Sequence, residues 1–285
     1  MRLREYVSLT KPKIAFLNIL TAVTAFLLAG GGATERLLIL ILAGYFAVGG
    51  ASAINHYIDR DIDATMQRTR NRPLPSGRLS PAVKAIIFGV VLSVSAVIIA
   101  TLFLNLLTAF FIGLGILIYI LVYTIWLKRR TPWNIVIGGS AGSCSPLAGW
   151  AAAADNITLL SILLAILVFL WTPGHFWGLA LRAEQEYKRA GLPMLPTVAG
   201  RNTTAKLIAV SNFITVACWL AIAFLLKSSI SYLIITAPLT LWIAVDSIRL
   251  IHRPDDNLAW RIFKISSPWL AVLMLGSLMH VVVGF

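Results

Sequence analysis

Nine apolar stretches, each near the length needed to cross a bilayer, constrain this chain more than any other feature. They run 14–28, 37–58, 83–103, 106–127, 133–152, 159–181, 206–226, 230–250 and 262–283. A spanning helix needs about 20 mostly apolar residues. Of the 285 residues 59% are hydrophobic and only 12% charged, where a soluble domain carries about 25%. In lipid the backbone must satisfy its own hydrogen bonds, so only helices or a closed barrel can span. The alternation expected of barrel strands is absent. The sequence therefore predicts an all-α polytopic membrane protein with nine transmembrane helices, forming one transmembrane domain over 1–285. The basic-then-apolar N-terminal stretch resembles a cleaved leader. It has no convincing small-residue cleavage site and is long enough to span, so it reads as the first helix.

Loop charge tests the count. When the loops are assigned alternately to two sides, one side receives all 24 Lys and Arg residues except Arg36 and Lys227. Cytoplasmic loops are the basic ones, so the expectation is a plasma-membrane protein with a cytoplasmic N-terminus and an external C-terminus. The same rule accounts for the net charge of +13 without nucleic acid as a partner. Cys144 and Cys218 lie in different apolar stretches, lack metal-ligand spacing, and read as small buried hydrophobes.

Acidic residues number eleven in the whole chain, yet Asp59, Asp61 and Asp63 crowd together where the second stretch ends. Asn55, Asp59 and Asp63 are spaced i, i+4, i+8, which puts them on one helix face with a drift of about 40° per step. Stacked carboxylates near lipid are costly, so a cation must compensate. Oxygen ligands open to water suit Mg²⁺, which shares its shell with substrate phosphates. Asn55, Asp59 and Asp63 are thus the predicted catalytic and metal-binding set. Asp61 falls on the opposite face and reads as an ordinary solvated charge.

The loop that follows carries Arg68 and Arg72. Arginine can clamp phosphate oxygens bidentately, and these two are one turn apart if the helix continues. Pro73 and Pro75 would fold the loop back over the site. Lys128 and Arg129, on the same side, can neutralise a diphosphate. The sixth stretch carries His175 and Trp177 near its end, and Glu184, Glu186 and Tyr187 follow it. The Pro173-Gly174 pair predicts a broken helix lining a cavity. His175 there can ligate a haem iron, act as a base or bind polar substrate groups. Of the two glutamates, Glu186 is the predicted second-site metal ligand. Aromatic residues near these ends, Tyr187 and Trp177 among them, can shield a carbocation. His56, His252 and His280 receive no chemical role. Both the second and the sixth stretch end in acids and feed a long basic loop, a faint internal echo.

These residues resemble the UbiA superfamily of intramembrane prenyltransferases. Within it, Asp59-Arg-Asp-Ile-Asp63-x₂-Met66-x-Arg68-Thr-x₂-Arg72-Pro-Leu is similar to the heme O synthase branch. So are Leu127-Lys-Arg-Arg-Thr-Pro-Trp-Asn134, His175-Phe-Trp177 and Tyr187-x₂-Ala-Gly-x-Pro193-Met-Leu-Pro196. The chain departs from that pattern at Pro173-Gly174, where Pro-Pro is usual. It departs again at Glu186, where Asp is usual, and at Gly142-Ser-Cys-Ser-Pro146. The resemblance implies a UbiA-type prenyltransferase bundle that transfers farnesyl from farnesyl diphosphate to a vinyl group of heme B. Water addition would then give heme O for haem-copper oxidases. Mg²⁺ would be the cofactor, membrane lipid the surroundings, and oxidase assembly factors candidate partners. Arg68, Arg72, Lys128, Arg129, His175, Trp177 and Tyr187 would bind substrate. The alternative is a prenyltransferase of the same fold acting on a quinone precursor or chlorophyll-type acceptor. A transporter or a non-catalytic haem-binding assembly factor fits less well, since transporters place their ionisable residues near the bilayer midplane.

Overall fold

The computed structural model describes residues 2–227 and 230–278. His280 and the end of the ninth apolar stretch lie outside the described residues. Helices form in the order α1 (Arg2–Leu9), α2 (Pro12–Leu28), α3 (Glu35–Ile58), α4 (Arg60–Thr65), α5 (Val83–Phe103) and α6 (Leu106–Leu117). A π-helix (Ile118–Leu127) continues α6. Then come α7 (Asn134–Ala154), α8 (Leu159–Arg182), α9 (Glu184–Arg189), α10 (Leu195–Leu225, kinked at Gly200), α11 (Ile230–His252) and α12 (Asp256–Ser277). No strand occurs among the described residues.

Each of the nine apolar stretches falls within helix over its described part, save single end residues at 133, 226 and 278. Seven helices are long and apolar enough to cross a membrane by composition. An eighth span arises if Leu3–Leu9 and Pro12–Leu28, bent by 51°, count as one. Apart from the six-residue α4 and α9, the helix outside that set is α7, and its composition has a physical reason. It packs against α2, α6, the π-helix and α8, so most of its neighbours are protein rather than lipid. Small residues let membrane helices approach closely. At Gly149 an added Cβ would lie 1.9 Å from the Ala22 carbonyl oxygen, so α2 and α7 touch backbone to backbone.

The largest core is built around α8, α10, α11 and α12, with Leu167, Ile208, Ile243 and Trp269 fully or almost fully buried. Outward rows such as Val90, Val91, Val94 and Ile98 on α5 are exposed, as expected of side chains that meet acyl chains. α3 and α8 are alike in form: each has 24 residues, then a one-residue break at Asp59 or Ala183, then a six-residue helix. The echo in the sequence is therefore an echo in shape, and each acidic motif sits at or just beyond one of these two breaks.

One expectation is corrected. The Pro173-Gly174 pair does not break α8, which runs unbroken from Leu159 to Arg182 with Pro173 inside it. Proline normally opens the i→i−4 ladder. Here the Ser211 hydroxyl of α10 fills the gap: it accepts from the Gly174 amide at 2.9 Å and donates to the Leu170 carbonyl. A side chain at 174 has no room, since an added Cβ would sit 2.3 Å from Asn212 Oδ1.

Candidate active site

The acidic face survives the change of helix. The Asp59 amide donates to the Asn55 carbonyl at 2.9 Å, and the Asp63 amide to the Asp59 carbonyl at 2.8 Å. The i→i−4 ladder therefore carries the three side chains across the break on one side. All three are buried, with Asp59 at 0% and Asp63 at 1% exposure. Two carboxylates at such burial demand cationic partners. Lys128 donates to Asp59 Oδ2, and Arg72 Nη1 reaches both Asp63 oxygens at 2.9 and 2.7 Å. Asn55 donates to Asp59 Oδ2 at 2.6 Å and accepts from Lys11 Nζ at 2.9 Å. Each acid thus has its own basic partner, and Lys11 holds the amide beside them.

The loop after α4 closes back over the acids. Met66 is extended and ends the helix, so Arg68 and Arg72 are not stacked one turn apart. They part company: Arg72 turns in to Asp63, while Arg68 Nη2 donates to the Tyr187 hydroxyl at 2.9 Å. The Thr69 hydroxyl pins the fold-back by donating to the Asp63 carbonyl at 2.8 Å. The Arg68 amide also points at Glu186 Oε2, 3.4 Å away. The loop after the first acidic motif therefore reaches the second one through Arg68. Glu184 turns elsewhere, to Arg201 Nη1 at 2.9 Å, which leaves Glu186 as the glutamate beside the site. Tyr187 is buried, and that burial raises its phenol pKa.

The π-helix delivers Lys128. Its amide bonds back five residues to the Tyr123 carbonyl at 2.9 Å, and π turns recur at functional sites. Within that segment Thr124 accepts from Asn55 Nδ2 at 3.2 Å, and the Tyr119 hydroxyl accepts from Lys11 at 3.2 Å. Sequence reasoning did not pick out Lys11, Tyr119 or Thr124, and no local motif marks them. His56 is buried beside the acids, with Nδ1 3.9 Å from Asp63 Oδ2.

Three predicted substrate residues sit differently. Arg129 turns outward and pairs with the exposed Asp61 at 2.8 and 2.9 Å, lowering the Asp61 pKa chiefly through that hydrogen bond. His175 is stacked between Trp171 and Phe263, with ring centroids 4.4 and 4.5 Å away, and Nδ1 lies 2.6 Å from Ser266 Oγ. It joins α8 to α12 and, among the described residues, forms no hydrogen bond with the acids or their partners. Trp177 is buried and meets Trp133 edge-on at 6.4 Å, its indole N–H unpartnered.

A divalent ion fits the donor set. Asp59 Oδ1 is buried without a hydrogen-bond partner, and Asn55 and Asp63 share its side of the helix one turn away in each direction. Among the described residues no three His, Cys, Asp or Glu side chains form a closed metal cage. Mg²⁺ does not need one, because it takes one or two carboxylates and shares substrate phosphates.

Comparison with known proteins places these features in context. The sequence model described as the UbiA prenyltransferase family matches residues 18–268. A protoheme IX farnesyltransferase of Metallosphaera sedula is 43% identical over 274 residues, covering 96% of this chain and 95% of that protein. Among solved structures, one concerned with digeranylgeranylglyceryl phosphate synthase in membranes superposes with a TM-score of 0.78. It is 19% identical and covers 98% of this chain and 99% of its own. A UbiA homologue from Archaeoglobus fulgidus, bound to DMAPP and Mg²⁺, superposes at 0.72. It is 18% identical and covers 95% and 98%.

Proposed function

Since the chain belongs to the UbiA prenyltransferase family, we propose that it farnesylates heme B to heme O, with Asp59 and Asp63 as the centre of its diphosphate site. The activity is that of its relatives, protoheme IX farnesyltransferases about 40% identical over nearly the whole chain. The observation that supports the placement of the site is the pair of buried carboxylates met by Arg72 and Lys128, with Lys11 donating to Asn55 beside them.

The chemistry follows from that charge pattern. The C1–O bond of farnesyl diphosphate breaks and both electrons leave with the diphosphate. A heme vinyl group adds its π electrons to the allylic cation, forming the new C–C bond. Water captures the resulting cation and loses a proton. Arg72 and Lys128 exchange carboxylate for phosphate oxygens as the diphosphate arrives, so the leaving group meets preorganised positive charge. Asn55, Asp59 and Asp63, with Glu186 on the facing short helix, are the residues that would hold Mg²⁺. Bound there, the metal offsets charge developing on the diphosphate. Tyr119, Tyr123 and Tyr187 bring aromatic faces to the same end of the bundle, where a cation gains from them. The surrounding apolar helices exclude water that would quench it.

On our reading the site faces the cytoplasmic side of the plasma membrane, which the loop-charge asymmetry supports. The same reading takes the chain as a single nine-span domain, with α7 as one of the spans. Incubating the purified protein with heme B, farnesyl diphosphate and Mg²⁺ should yield a farnesylated haem by mass spectrometry. Absence of that product would overturn the reading.

A further inference from the structure

Away from the carboxylates, the facing ends of α11 and α12 frame a cleft of about 830 Å³. Arg249, Arg253, Arg261 and Lys264 line it together with Trp260. The one acid in the lining, Asp255, is committed to capping α12: its carboxylate accepts from the Asn257 and Leu258 amides at 2.9 and 3.0 Å. Asp246 is buried behind the cleft and holds Arg261 through two bonds of 2.7 and 2.6 Å, with Arg249 3.9 Å away. Arg253 and Lys264 are exposed, and among the described residues neither has an acidic partner within 4 Å. Arg261 is thus anchored, while Arg253 and Lys264 line the cleft with no acidic partner to neutralise them.

A second feature lies on α11. Leu241, Val245 and Ile248 form an exposed apolar row at helical spacing, 64%, 43% and 48% exposed, and Ile248 is also part of the cleft wall. An apolar ridge that ends in a cluster of cations has the shape of a phospholipid: acyl chain along the ridge, phosphate in the cleft. Basic pockets between membrane helices on the cytoplasmic side suit anionic headgroups.

We propose that the α11–α12 cleft binds the phosphate headgroup of an anionic membrane lipid. The competing guest, a haem carboxylate, would have no use for a ridge facing the bilayer. The test uses the full chain purified in detergent, with dioleoyl phosphatidylglycerol and dioleoyl phosphatidylcholine titrated separately and bound lipid counted by native mass spectrometry. The wild type should prefer phosphatidylglycerol, and the double variant Arg253→Ala/Lys264→Ala should bind it about 30-fold more weakly. The control Lys188→Ala/Arg189→Ala, which removes two exposed cations of α9, should bind it as the wild type does. The proposal is overturned if the wild type shows no preference. It also falls if the control loses as much as the cleft variant, since general loop charge would then explain binding. Retained phosphatidylglycerol binding with weakened hemin binding would reassign the cleft to haem carboxylates.

Discussion

Lys128 donates its ammonium to the buried carboxylate of Asp59, 69 residues away along the chain. The π-helix before Lys128 sets that meeting, because its amide bonds five residues back rather than four. On the proposed function, stability and catalysis share this one ion pair, and the two roles can be separated by experiment.

Lys128→Met should destabilise the protein by about 3–5 kcal/mol, the usual cost of stranding a buried charge. Adding Asp59→Asn should recover most of that stability while product formation stays undetectable. Thermal unfolding in detergent, run beside the farnesylation assay, reads both. A wild-type melting temperature for Lys128→Met alone would contradict the burial argument.

Arg72 touches both Asp63 oxygens and is half-buried at the site. Arg72→Ala should lower kcat/KM for farnesyl diphosphate on the order of 10²–10³-fold, as loss of one preorganised donor does elsewhere. Arg72→Lys keeps the charge and should lose only about tenfold. Equal losses in the two variants would argue against a charge-neutralising role.

Arg129 is the contrast. Its pair with Asp61 is exposed on both sides, and such pairs contribute about 1 kcal/mol or less. Arg129→Ala should leave steady-state kinetics within about twofold and stability nearly unchanged. The pH dependence has a definite sign. The folded-state pKa of Asp61 is lowered, so this small contribution is present above the unfolded carboxylate pKa and is lost as pH falls through the folded one. In Arg129→Ala that acid-side loss should be absent from urea titrations at stepped pH.

Ser211→Ala removes the hydroxyl that spans the Leu170 carbonyl and the Gly174 amide. Two buried backbone groups then lack a partner, at about 1–3 kcal/mol each. Gly174→Ala should be worse, because its methyl group meets Asn212 Oδ1. Both should unfold at lower temperature with KM for farnesyl diphosphate unchanged in the protein that remains folded.

Chelation gives a fourth handle on the acids. Excess EDTA should abolish turnover and Mg²⁺ should restore it, while the melting temperature moves little, because Lys128 and Arg72 keep both carboxylates paired. Full activity in EDTA would remove the metal from the site.

Much of the fold was legible because lipid imposes a simple rule on helices, and the nine apolar stretches follow it. The Asn55, Asp59, Asp63 face was legible because a 3.6-residue period survives the break at Asp59. What stayed hidden was long-range or out of period. Lys11 reaches Asn55 across 44 residues, and nothing local in Thr10-Lys11-Pro12 announces it. A π-helix has no distinctive residue signature, so Thr124 and Lys128 could not be phased against Asp59 beforehand. Pro173 misled for a different reason: the group that compensates it, Ser211, lies on another helix.

The contact of Gly149 with the Ala22 backbone bears on how the chain enters the membrane. α7 is matched to protein neighbours more than to oil, so on its own it partitions poorly. Of its partners α2 and α6 emerge from the ribosome before it and α8 after it. Insertion of α7 is then a joint event, with the earlier helices waiting at the translocon as its solvent. A chain lacking residues 2–28 should leave α7 exposed to the aqueous side even though its own sequence is untouched.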